Sequence, residues 1–116
     1  MRRDAERISD IIDACAVVAR YIESRTAADF VNDRMFQDAV VRQLTIVGEA
    51  ATNLSAEFRV KHPEIPWPEI SGFRNRIIHD YFGIDLDTAW KVATDDLPDL
   101  NARLAAISAA EAEEMS

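Results

Sequence analysis

Ile8-Ser9-Asp10-Ile11-Ile12-Asp13-Ala14-Cys15-Ala16-Val17-Val18-Ala19-Arg20-Tyr21-Ile22 sets the fold class. Ile8, Ile11, Ile12, Cys15, Val18, Ala19 and Ile22 recur at i, i+3, i+4, i+7, i+10, i+11 and i+14. That spacing lays one apolar stripe along an amphipathic helix of about five turns, expected over residues 4–24. Strand-type alternation is absent from this stretch and from the rest of the chain.

Working outward, Thr26 to Asn32 reads as a short linker. Asn32 or Asp33 can cap a second long helix reaching about Asn53. Phe36, Val40, Val47, Ala51 and Leu54 mark its main face, and Val41, Leu44 and Ile46 widen the arc, so it should touch neighbours on two sides. Gly48, Ala50 and Ala51 would let another helix approach closely. Glu49 among them reads as a solvated or capping carboxylate in preference to a site residue. Ser55 is a fresh N-cap for a short helix to Lys61. Pro63, Pro66 and Pro68 break regular structure, and Trp67 is expected to pin that loop to the core. A third long helix is expected from Pro68 to Phe82, stopped by Gly83. Asp85 or Asp87 opens the next. Leu86, Trp90, Ala93, Leu97, Leu100, Leu104 and Ile107 keep a 4-3-4-3 spacing through Pro98, which suggests two helices nearly in line with a break near Asp95 and Asp96.

Composition agrees with a helical domain. The 116 residues are 48% apolar, with three Gly and four Pro, which excludes a disordered chain and is enough to bury a core. One domain over residues 1–116 is expected. Cys15 alone can form no internal disulfide and no cysteine metal site, and its place on the stripe makes it a buried, inert thiol. No metal site and no cofactor are expected. The charged start of the chain and the lack of any run near the ~20 apolar residues of a membrane span point to a soluble, cytoplasmic protein without a membrane partner. The net charge of −8 excludes a general nucleic-acid coat, because bulk electrostatic binding needs basic surface.

The chemistry-bearing run is Arg74-Asn75-Arg76-Ile77-Ile78-His79-Asp80-Tyr81. On a wheel of about 100° per residue, Ile70, Phe73, Ile77, Ile78, Tyr81 and Phe82 form an apolar arc with Arg74 at its centre. Such an arginine either snorkels or pairs across the bundle, or waits at a cleft for an anion. His79 falls beside Asn75 at i+4. It is a candidate acid–base group, although a lone surface histidine is more often inert. Arg76 and Asp80 at i,i+4 read as a solvated ion pair.

This run, Arg followed after four residues by His-x-Tyr, resembles the signature of HepT-like proteins, the toxin half of HEPN–MNT toxin–antitoxin pairs. Ile46-Val47-Gly48-Glu49-Ala50-Ala51, then Pro63-Glu64-Ile65-Pro66-Trp67, then Trp90 and Asp96-Leu97-Pro98-Asp99-Leu100 extend the likeness over nearly the whole chain. The resemblance implies an all-α, dimeric HEPN-type bundle of four to five main helices and metal-independent endoribonuclease activity on RNA. Arg74 and His79 would be catalytic, with Asn75 and Arg76 binding or orienting the substrate. It also implies an MNT-type nucleotidyltransferase antitoxin that adenylylates Tyr81; the plainer alternative for Tyr81 is a core tyrosine with its hydroxyl at the rim. Two copies facing each other would gather two histidines and two arginines in one cleft, together with Arg76 from each chain. Two other readings stay open: a non-catalytic HEPN module that binds a nucleotide or regulates a partner nucleotidyltransferase, and a plain helical dimerisation domain.

Overall fold

The structure, a computed structural model, describes residues 2–79 and 83–115. It is all-α apart from one two-residue strand pair. The first helix, α1 (Arg2–Ile22), buries Ile8, Ile11, Cys15 and Val18. Ala14 joins that stripe, and Ala19, which the spacing included, is exposed. Burial pushes the Cys15 thiol up to about 12, so it stays protonated and unreactive.

The expected linker at 26–32 is instead a helix, α2 (Ala27–Val31). Its cause is a capping box with Asp in place of the usual Glu. Thr26 Oγ1 accepts from Asp29 N at 3.2 Å, and Asp29 Oδ2 accepts from Thr26 N at 2.9 Å. Phe30 anchors it, fully buried against Phe36 and Trp90. The buried Gln37 amide donates to the Phe30 and Val31 carbonyls, satisfying that helix end.

Asp33 caps α3 (Arg34–Thr52) by accepting from Phe36 N at 3.1 Å. As expected, α3 has neighbours on two sides: α1 on one, and on the other the short helices α5 (Trp67–Ser71) and α6 (Phe73–Ile77). Between them, Ser55 caps α4 (Ala56–Lys61) and also donates to the buried Asp4 from its amide (2.9 Å) and hydroxyl (2.6 Å). Burial alone would raise the Asp4 carboxyl, but the two Ser55 hydrogen bonds outweigh it and hold it below its ordinary value. Trp67 is buried and donates to the His62 carbonyl at 3.0 Å, fastening the proline loop as expected.

The third long helix does not form. The chain makes α5, turns through Gly72, makes α6, and becomes extended at Ile78 (φ −109°, ψ 121°). The strand β1 (Ile78–His79) pairs antiparallel with β2 (Gly83–Ile84), Ile78 opposite Ile84 and His79 opposite Gly83. Adjacent β-branched Ile77 and Ile78 favour this exit from helix. Gly83, read as a helix stop, takes a positive φ of 77° at the start of β2, a conformation that costs other residues. Asp85 N then donates to Ile77 O at 2.7 Å.

Asp85 opens α7 (Leu86–Lys91), which runs without leaving helical geometry into a π-helical turn at Val92–Asp96 and on into α8 (Leu97–Met115). The expected break is this widened turn. It accommodates Pro98, whose ring would clash with a carbonyl one ordinary turn back. The 4-3-4-3 stripe is borne out: Ala93, Leu97, Leu100 and Leu104 are buried, with Leu86, Trp90 and Ile107 packed at the margin. One apolar cluster runs from Ile8 to Leu104 through α1, α3, α5, α6 and α8. Among the described residues, no helix is long and apolar enough to cross a membrane.

Candidate active site

Helix α6 is five residues long, and that length governs what it presents. Phe73 and Ile77 are buried, while Arg74, Asn75 and Arg76 are exposed. The arc that centred Arg74 therefore does not exist as one surface. Ile70 belongs to α5, Ile78 to β1, and Ile70, Phe73 and Ile77 are consumed by the chain's own core. Arg74 is not a buried guanidinium; it is exposed, with no ion pair among the described residues.

His79 is likewise not on Asn75's helical face, because it lies on β1. Its side chain is 46% exposed, and Nε2 lies 3.9 Å from Asp85 Oδ2. Asp85 is itself held by the Thr88 hydroxyl at 2.7 Å and the Thr88 amide at 3.1 Å. Those two bonds, with a smaller contribution from His79, keep its carboxyl below the ordinary value. Sequence reasoning treated Asp85 only as a cap; here it both caps α7 and faces the histidine.

The three polar residues of α6 divide between two grooves. Arg74 and Asn75 line a cleft of about 210 Å³ against α3, whose other walls include Thr45, Glu49, Thr52 and Ser71. Arg76 lines a different cleft of about 480 Å³, beside Lys91, Asp95, Asp96, Asp99 and Arg103. Its guanidinium carbon sits 5.6 Å from the centroid of the Phe73 ring. Arg74 and Arg76 of one chain thus do not build one basic patch. Tyr81, and the Asp80 partner expected for Arg76, lie outside the described residues. Glu49 shares the cleft of Arg74 and Asn75, which its sequence context did not suggest.

A free guanidinium, a neighbouring amide and a carboxylate-backed imidazole are the parts that phosphoryl chemistry needs: a fork for phosphate oxygens and a proton carrier near neutral pH. The model of the HepT-like ribonuclease family matches residues 11–107, spanning all of these positions. The chain belongs to this family. Among its HepT-like relatives, a "Probable ribonuclease HepT" of Thermococcus cleftensis is 36% identical over 102 residues, 88% of this chain and 93% of that protein. A "Putative RNase" of Caldanaerobacter subterraneus subsp. tengcongensis is 36% identical over 100 residues, covering 86% and 89%. A third relative, in Methanocaldococcus jannaschii, is 39% identical over 101 residues, but the match covers only 46% of that protein. Its name pairs a gamma-glutamylcyclotransferase with an RNase. No solved structure matches the chain. The helical bundle described above is accordingly of the HEPN type.

Proposed function

We propose that this chain is the endoribonuclease toxin of a HEPN–MNT toxin–antitoxin pair, cutting RNA without a metal in a cleft at a homodimer interface. The observation that carries it is the exposed Arg74 followed by a His79 backed by Asp85, within a chain whose HepT-like relatives bear ribonuclease names. Cleavage by the 2′-hydroxyl needs a base, an acid and charge to meet the crowded phosphorane. Histidine exchanges protons near neutral pH. Arginine does not give up its proton, so Arg74 positions and neutralises the phosphate. Asn75 hydrogen-bonds the substrate beside it, and Arg76 contacts RNA beyond the scissile phosphate. Two protomers bring two such sets together.

The test is cleavage of labelled RNA by the purified chain in EDTA. His79→Ala should keep the fold, because the side chain is half exposed, and should slow cleavage by about 10²–10⁴-fold. Cleavage at the wild-type rate in a folded His79→Ala protein would remove His79 from the mechanism. Absence of any cleavage by the wild type would favour the non-catalytic module, the reading to which the net charge of −8 is better suited.

The same reading places a nucleotidyltransferase antitoxin upstream of Tyr81. Its AMP would add a negative phosphodiester and a nucleotide's bulk close to the catalytic run, excluding RNA. Co-expression with the cognate antitoxin should add AMP mass to Tyr81 and silence cleavage, and Tyr81→Phe should escape silencing. Complete inhibition with no adduct would mean that the antitoxin acts by binding alone.

A further inference from the structure

We infer that Glu49 is a third catalytic residue, the general base for the 2′-hydroxyl, working across the cleft from Arg74. This rests on the ribonuclease reading and fills its least explained part, the second proton carrier.

The placement begins at Gly48. A Cβ there would stand 3.3 Å from the Ile70 carbonyl oxygen and 3.4 Å from that of Ser71, so glycine lets the end of α5 lie a few tenths of an ångström closer to α3 than a side chain would. The next residue on α3, Glu49, is thereby set on the wall of the cleft that Arg74 and Asn75 line from α6. Among the residues lining this cleft, Arg74 and Glu49 are the only charged ones.

The other polar groups of the cleft are largely committed. Thr45 Oγ1 donates to Val41 O, Thr52 Oγ1 to Gly48 O, and Asn53 Nδ2 to the Glu49 carbonyl, each at 2.9 Å. These bonds return to the backbone of α3 and serve the helix. The side chains of Glu49, Arg74 and Asn75 have no hydrogen bond or ion pair among the described residues. A carboxylate, a guanidinium and an amide are therefore left free around one solvent-open space of about 210 Å³. A purely structural pair would close on itself; this one leaves room for a phosphodiester between opposite charges.

The chemistry assigns the roles. An ionised carboxylate has no proton to give and can only accept one. Glu49 takes the 2′-hydroxyl proton as O2′ bonds to phosphorus. The bond from phosphorus to O5′ breaks, and protonated His79 gives its proton to O5′. The products are a 2′,3′-cyclic phosphate and a free 5′-hydroxyl. One proton has passed in effect from O2′ to O5′, and exchange with water resets both side chains. Arg74 meets the charge that builds on the non-bridging oxygens. With Glu49 as base, one histidine is sufficient as acid, whichever protomer supplies it.

The test uses the full-length chain and a labelled RNA in EDTA, with Glu49→Gln, Glu49→Asp and His79→Ala side by side. Glu49 is exposed, so Glu49→Gln should match the wild type in thermal melting and in affinity for a non-cleavable 2′-deoxy substrate. It should cleave about 10²–10⁴-fold more slowly at unchanged KM. Glu49→Asp should recover part of the rate. Wild-type kcat in Glu49→Gln with a dead His79→Ala overturns the role of Glu49 while leaving the ribonuclease reading intact. A raised KM at unchanged kcat also overturns it, since Glu49 would then only hold substrate. If His79→Ala cleaves normally as well, both readings fall together.

Discussion

Arg74 shows how a motif can be legible in a sequence while its setting is not: the arginine lies exposed on α6, off the apolar arc expected for it. Its spacing to His79 was legible, but the wheel assumed one helix through residue 82, and α6 stops at Ile77. In the exposed position it actually holds, replacement should leave the core untouched, so its effect can be read as chemistry. Arg74→Ala is expected to lose about 10²–10³-fold in cleavage, the usual effect of removing one donor to a transition-state oxygen. Arg74→Lys should recover only part of this, because an ammonium keeps the charge and loses the planar fork. Melting temperature should be unchanged in both, and a Lys variant with full activity would show that point charge alone suffices. Glu49 was the opposite case. Its identity was plain, but its small neighbours Gly48, Ala50 and Ala51 drew attention to packing. The signal that could have found it was in those same neighbours: a glycine that admits another backbone also brings that backbone's side chains to the residue beside it.

At the level of elements, periodicity predicted the long pieces well because their burial is one-sided and repeated. The helices α1 and α3, and the run from α7 to α8, follow stripes most of whose members are buried in the core or packed at its margin. It failed where the pieces are shorter than two turns. Helix α2 is set by the Thr26–Asp29 box and one buried Phe30, and the exit from α6 is set by the extended backbone of Ile78 and its pairing with Ile84. Such choices depend on single hydrogen bonds and dihedrals, which a stripe does not encode. The contact of α3 with α5 is the element-level device that builds the cleft, and it gives a prediction. Gly48→Ala gains roughly 0.5–1 kcal/mol of helix preference and must displace the Ile70 and Ser71 carbonyls by a few tenths of an ångström, so the two effects nearly offset. Gly48→Val adds two methyl groups against backbone that cannot rotate away. It should destabilise by about 1–3 kcal/mol in urea unfolding and lower kcat, because α5 carries α6 and Arg74 with it. A Val variant as active and stable as the wild type would mean that α5 moves freely and does not fix the cleft.

For the whole molecule, the decisive number is the net charge of −8. On the ribonuclease reading RNA is held at a few points on an acidic body, and the one positive charge that α6 offers to the cleft it shares with α3 is Arg74, since Arg76 lies in the other groove among Asp95, Asp96 and Asp99. A second protomer facing this cleft would bring a second Arg74 to the phosphate, together with a second Glu49. Ile70, Phe73 and Ile77 of the expected apolar arc are buried in the chain's own core, so the dimer has to be tested through the chemistry it would share. Mixing subunits does this. Suppose that Arg74→Ala and His79→Ala proteins, each inactive alone, are unfolded together and refolded at equal concentration. With two-fold symmetry and random pairing, about half of the dimers should then be mixed. In a cleft that straddles the axis, a mixed dimer holds one intact Arg74 and one intact His79, and activity should return to a substantial fraction of that of wild-type dimers. If each site is complete within its own chain, every mixed dimer carries two broken sites and nothing returns. Recovery that falls on dilution, in step with the dimer seen by sedimentation, would tie the activity to assembly. A monomer with full activity, or an inactive mixture of well-folded dimers, would exclude the shared cleft and confine catalysis to the Glu49, Arg74 and His79 of one chain.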